Sequence, residues 1–498
     1  MLRKLFLLLL VLTALWLIRE SWYFALERRT LPVGTAIGGV PVAGLTLETA
    51  GEAVARAYGQ PVQLHHPSDP AAEPIVLLPT QFEFQPDLRG MLAAVQAERN
   101  RLPRWQQFAG YLFRRPVQPI DVPLQATFDR DRVRRLVEAI AEERVIGPVS
   151  PALDPEQGVL VPGVAGYSAD IEATADALIA ALTRPDERRA DLVELPVPAP
   201  ELDADRFVAL LEAYFAAWPH LTPSLFVRNL ETGEEIAINA DFAVSGNNIF
   251  KLAVLLEVMR AVELPLTRDL QQLFNQTALE QGDYSAGLLL DVVAGEDNAY
   301  LGSDIVTESL QRMGLVNSFI VTPWGEPARP GVQTRRTPAN AVSPPGVDPD
   351  PGIQTTAEDI GTLLALIHAC SEGRGALMLL YPETLTAEEC RLVLDVMALN
   401  QRGPIIRYGV PEGMKVAHLH GWGHNVHGNV GIVYGPDFAW VIAIYLTQPG
   451  SDWLIADNSF PIMRAVSRFV YNYWHPDRPN LADPEERLQR DRESAESP

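Results

Sequence analysis

Positive charge is scarce in this chain. Only 40 lysines and arginines face 63 aspartates and glutamates over 498 residues, a net charge of −23. A phosphate backbone needs a basic footprint, so the charge argues against a nucleic-acid partner. Cysteine is scarcer still. Cys370 and Cys390 are the only two, and their spacing is not that of a metal site. No metal or cofactor is expected. Whether the two cysteines pair stays open at this level. Hydrophobic content of 47% and charged content of 21% are ordinary for globular protein. The 41 prolines imply many turns and linkers. The length suggests two to four domains.

The N-terminus carries a targeting signal. "MLRKLFLLLLVLTALWLIRESWYFALERR" places Arg3 and Lys4 before an apolar run over residues 5–18. That run is shorter than the roughly 20 residues of a full span. Trp22, Tyr23 and Phe24 extend it as an interfacial aromatic belt. Residues 1–26 are therefore expected to be a signal anchor, with the bulk of the chain extracytoplasmic by the positive-inside rule. A cleaved secretory signal is the alternative, and it exports the chain equally.

Residues 30–200 read as an α+β region. "LTLETAGEAVARAY" has Leu47, Ala50, Val54 and Ala57 at helical spacing. "QFEFQ" alternates like a strand, with Phe82 and Phe84 on one face. A helix over about 130–143 aligns Val133, Leu136, Val137 and Ile140. Another is entered through Ser168 and Asp170, both good cap types. "PVPAPEL" then reads as a linker. "GGVPVAGLTLETA", "GVLVPGVAGYSADIEAT" and "VELPVPAP" resemble the peptidoglycan-binding module found between a membrane anchor and a wall-active domain in some bacteria. A spacer without a ligand of its own is the competing reading.

Residues 201–475 read as a second domain, an antiparallel sheet flanked by helices with a helical subdomain. "SLFVRNLETGEEIAINA" is a hairpin, and "KVAHLHGWGHNVHGNVGIVYGPDFAWVIAIYL" gives three more strands. A last helix covers about 459–473. The charged tail, 476–498, is expected to be disordered.

One apolar helix carries an unexpected cation. In "SGNNIFKLAVLLEVMRA" Lys251 stands near the helix start, three residues after Asn248. With "RNLETGEEIAINADFAVSGNNIFKLAVLLEV", "GLLLDVVAGEDNAYLGSDIVTESLQRMGL", "TTAEDIGTLLALI" and the final strands, this text resembles the class A β-lactamase and penicillin-binding-protein superfamily over nearly all of 215–475. Active members use Ser-x-x-Lys, where one helical turn aligns the nucleophile with the lysine amine. Here that turn is Asn248-Ile249-Phe250-Lys251, and a carboxamide cannot form the acyl-enzyme. The Ser-Asp-Asn position falls on Gln281-Gly282-Asp283. The Lys-Thr-Gly position falls on Leu419-His420-Gly421, without its cation, although His420 can still donate a hydrogen bond. Glu326 is the one acid in the segment that would hold a deacylating carboxylate. The resemblance therefore implies the fold with its catalytic motifs degraded.

Ser245 and Ser285 are the substitute nucleophiles to weigh, and each is more simply a cap or surface serine. His418 and His420 share a strand face, and His424 and His427 lie close by. Half a zinc site is conceivable there, but a turn with satisfied histidines fits better. Trp422 is either a cleft wall or a core aromatic. The reading is a membrane-anchored wall protein that binds or scaffolds peptidoglycan or cell-wall peptides without acyl-serine chemistry. The alternatives are an active divergent hydrolase using Ser285 or the histidines, and a pure spacer.

Overall fold

The computed structural model describes residues 2–154, 159–342, 344, 347–450 and 453–496. The chain divides into two units, Met1–Val149 with Val164–Pro200, and Ser150–Gly163 with Glu201–Pro498.

The first unit begins with one helix, Leu2–Glu27, long and apolar enough to cross a membrane. Beyond it, among the described residues, five helices accompany small sheets. Leu47–Gly59, Arg130–Arg144 and Ile171–Thr183 start where Thr46, Asp129 and Asp170 cap free backbone N–H groups. Ser168 lies in the strand Gly166–Ala169 instead. Val62–His65 pairs antiparallel with Ile75–Leu77 and parallel with Arg189–Asp191. Val54, Tyr58, Met91, Val137 and Leu178 form the centre of its core. Of "QFEFQ" only Gln85 is in a strand, Gln85–Pro86. Pro79–Phe82 is a 3₁₀ turn, and Glu83 takes a left-handed conformation. The turn buries both Phe82 and Phe84, which is the outcome alternation would also give.

The second unit is a five-stranded antiparallel sheet in the order Glu235–Ile238, Thr222–Asn229, Ala439–Thr447, Val426–Tyr434, Val416–Trp422. Strand alternation supplies two cores. Trp440, Ile442, Ile444 and Leu446 face the helices Ala204–Phe215 and Ala456–Trp474. Val441, Ala443 and Tyr445 face the opposite layer, built from Lys251–Ala261, Ala357–Ser371 and Ala387–Ala398. The helix Lys251–Ala261 is buried from Lys251 through Met259 because it runs through the middle of that layer. Cys370 and Cys390 form a disulfide between the two neighbouring helices.

Two segments depart from expectation. Residues 152–161 lie within the stretch assigned to the first domain, yet belong to the second unit. There Ala152–Asp154 pairs with Val159–Val161, and Leu153 and Leu160 pack on the core of Phe207 and Phe469. The tail is also not without structure. Pro484–Glu496 is helical, and Arg487 donates to the carbonyls of Arg407 and Val410. Those buried bonds outweigh a composition that favours disorder. Residues 497–498 lie outside the described residues.

Candidate functional site

A 3₁₀ turn, Asn247–Phe250, leads into the helix that begins at Lys251. It places Asn248 and Lys251 one turn apart on the same side. Asn247 holds φ +46°, a conformation asparagine tolerates better than most residues. The strand Val416–Trp422 runs directly beside this turn, which Gly421 permits. A Cβ at Gly421 would stand 3.0 Å from the Asn247 Cβ and 3.3 Å from the Asn248 nitrogen.

Lys251 is fully buried, and its ammonium is saturated. It donates to Asn248 Oδ1 at 2.9 Å, to the Gln281 carbonyl at 2.7 Å and to Asp283 Oδ1 at 2.7 Å. The Trp324 ring faces the same nitrogen, its centroid 5.2 Å away. Burial pushes the Lys251 amine below its ordinary range, and Asp283 opposes that by bonding and charge.

The network continues through carboxamides. Asn248 Nδ2 donates to Gln281 Oε1 at 3.3 Å, and Gln281 Nε2 donates to the His420 carbonyl at 2.6 Å. Gln281 Nε2 also lies 3.1 Å from His420 Nδ1, so that ring nitrogen accepts. Gln281 sits at φ +56°, at the junction between the π-helical turn Gln276–Glu280 and the helix Asp283–Ala294. The structure thus gathers Asn248, Lys251, Gln281, Asp283 and His420 into one continuous chain of hydrogen bonds.

His420 has a different part from a substrate-binding cation. It is 3% exposed, and burial followed by the nearby Arg402 lowers its pKa to about 4. The loop at Gly403, φ +73°, lies against its ring. A Cβ there would come within 2.6 Å of His420 Cγ. Leu419 points the other way, into the apolar cluster that contains Ile249 and Phe250.

The remaining candidates are elsewhere. Ser285 is buried beneath its helix start, where its hydroxyl accepts from Thr277 Oγ1 at 2.8 Å and donates to the Gly282 carbonyl at 3.1 Å. Both bonds fasten the turn. Ser245 Oγ accepts from the Asp350 backbone N–H at 2.7 Å. Glu326 is exposed, and among the described residues no hydrogen bond or ion pair joins it to Lys251. Trp324, two residues earlier, is the member of that segment that reaches the lysine. In "TPWGEPARP" the acid is Glu326, and the aromatic Trp324 carries no local pattern that marks it as a partner of the lysine.

The other histidines have separate neighbours, and among the described residues the buried His418 Nε2 meets no hydrogen-bond partner. His427 Nδ1 lies 2.6 Å from Ser459 Oγ, and His418 Nδ1 lies 3.3 Å from Asn429 Nδ2. His424 meets the Trp453 ring edge-on. Among the described residues, no group of three or more His, Cys, Asp or Glu is placed to hold a metal ion. Trp422 is half exposed and packs beside His420, His427 and Phe460, so it is both wall and rim.

Residues 266–474 match the model of the beta-lactamase enzyme family. Over that stretch the second unit is similar to the β-lactamase enzyme family. Asn248 and Lys251 precede the matched stretch, whereas Gln281, Asp283 and His420 lie within it. Among solved structures, an acyl-enzyme complex of PBP-A with penicillin G is 18% identical, covering 56% of this chain and 100% of its own, with a TM-score of 0.42. A β-lactamase from Desulfarculus baarsii DSM 2075 is 19% identical over 55% of this chain and 99% of its own, with a TM-score of 0.41. No curated protein matches the chain in sequence.

Proposed function

We propose that this chain is an exported, membrane-anchored protein whose β-lactamase-like domain binds cell-wall peptides and does not run acyl-serine chemistry. One observation carries the reading: the ammonium of Lys251 is consumed by Asn248, the Gln281 carbonyl and Asp283, and no hydroxyl stands among those partners. An activated nucleophile needs a hydroxyl beside a base with capacity to take its proton. Here the nucleophile position is a carboxamide and the lysine has none to spare. Around the closed network, the rim remains accessible through Asp283, Tyr284 and Trp422. A carboxylate and two aromatic faces suit the amines and backbone of a peptide stem. The Cys370–Cys390 disulfide supports an oxidising compartment, and the N-terminal helix supports anchorage.

Two measurements on the full-length protein test this. A fluorescent penicillin should leave no covalent label on the wild-type chain, while purified peptidoglycan should retain the chain in a pull-down. Stoichiometric labelling would overturn the absence of acylation. Failure of retention would overturn the binding role and leave a spacer.

A further inference from the structure

The helix Arg104–Leu112, in the first unit, buries none of its residues, yet it is not polar. Trp105 is 69% exposed and Phe113 77%, and Leu102 and Val117 beside them are more than half exposed. Large apolar side chains left exposed together in one short segment point to an interaction site. The same segment carries Arg99, Arg101, Arg104, Arg114 and Arg115 with no acid between residues 99 and 117, in a chain of net charge −23. Among the described residues its single ion pair joins Arg101 to Glu98 at 3.1 Å.

Its position says what covers it. Phe108 and Tyr111 pack on Phe24, each with ring centroids 5.4 Å away, and the Tyr111 hydroxyl donates to Glu20 at 3.2 Å. Arg28 donates to Asn100 at 3.2 Å. These contacts fasten the segment beside the last turns of Leu2–Glu27, level with the exposed Trp22 and Tyr23. Aromatic residues with arginines at that level suit the headgroup layer.

We infer that residues 99–117 form a second membrane contact that binds anionic phospholipid. Trp105, Phe113 and Leu102 enter the acyl boundary, and Arg104, Arg114 and Arg115 meet headgroup phosphates. This rests on the reading of Leu2–Glu27 as a membrane anchor. Each arginine near an anionic surface is worth about fivefold in partition. A protein partner is disfavoured because the patch is continuous with the anchor's own aromatic belt.

The test uses the full chain with Gln106→Cys, labelled by an environment-sensitive dye, since both native cysteines are in a disulfide. It is reconstituted in vesicles of phosphatidylcholine, alone or mixed with phosphatidylglycerol, with and without brominated acyl chains. Flotation in high salt reports the anchor in the same sample. The expected result is flotation in both lipids, with blue-shifted emission and bromine quenching that are stronger with phosphatidylglycerol. Trp105→Ser with Phe113→Ser should abolish the quenching. Arg104→Gln, Arg114→Gln and Arg115→Gln together should remove the preference for the anionic lipid. Flotation with unquenched, water-like emission overturns this inference and leaves the anchor standing. Quenching that is equal in both lipids overturns the anionic-phospholipid assignment. Loss of flotation overturns the anchor and this inference together.

Discussion

Lys251 is one of only three lysines in the chain, with Lys4 and Lys415. A buried lysine needs acceptors for its protons, and three oxygens supply them. Asp283 is the only one that carries charge, although its side chain is 60% exposed and partly screened by solvent. Asp283→Asn is expected to lower stability by about 1–3 kcal/mol by leaving the ammonium buried without a counter-charge. Lys251→Met should lower it less, because the carboxylate that remains is already solvated. Denaturant midpoints of the two variants decide this, and the opposite order would refute it. Asn248→Ser places a hydroxyl beside the lysine, yet β-lactam acylation should stay slow. Leu419 offers no cation, and Gln281 offers no relay hydroxyl. One preorganised contact is worth roughly 3–4 kcal/mol in a transition state. Rapid, stoichiometric labelling of the Asn248→Ser variant by a fluorescent penicillin would show a cleft still built for catalysis. The Asn248–Lys251 pair was legible because one helical turn brings residues three apart together. Trp324 was not, since it reaches Lys251 through space from a loop that local pattern does not place.

At the scale of elements, the disulfide fixes Ala357–Ser371 to Ala387–Ala398, two of the helices behind the sheet. Replacing both cysteines by alanine should lower stability by about 2–4 kcal/mol, read as a shift in the denaturant midpoint under non-reducing conditions. An unchanged midpoint would mean that the helix contacts alone hold that layer. The long strands were readable because each covers two cores with alternate residues, as Val441 and Ile442 do. Short segments were not. Over five residues, a 3₁₀ turn and a strand bury Phe82 and Phe84 equally well. The helix Pro484–Glu496 was hidden by its composition, because its docking comes from an arginine reaching buried carbonyls and not from an apolar stripe.

For the molecule as a whole, acid should be the destabilising condition. Burial lowers His418 to about 3, and His420 and His427 to about 4. Unfolded histidine titrates near 6.5. The unfolded chain therefore binds more protons as pH falls below about 6.5, and stability drops until the folded values near 3–4 are reached. Asp359 works in the opposite sense. Burial raises it to about 6, so it favours the folded state at low pH and loses that contribution as pH rises from about 4 to about 6. Burial lowers His368 as well and raises Glu257 and Asp291 as well, so four histidines stand against three acids and acid keeps the larger effect. The melting temperature should fall steadily from pH 7 to pH 5, and His427→Asn should flatten the slope. A rise over that range would refute the assignment of neutral buried histidines.

The paired strands Ala152–Asp154 and Val159–Val161 bear on how the chain can be cut. A fragment starting at residue 201 loses Leu153 and Leu160, and so exposes part of the core around Phe207 and Phe469. A fragment of residues 30–200 keeps the paired strands without the surface they pack on. The natural excision is of residues 150–163, because Val149 and Val164 already exchange backbone hydrogen bonds at 2.9 and 3.0 Å. Joining those ends by a two-glycine turn should give a 30–200 fragment that melts cooperatively and stays soluble. The uncut fragment should aggregate more readily. The excised segment, supplied as a peptide, should in turn raise the melting temperature of a 201–498 fragment.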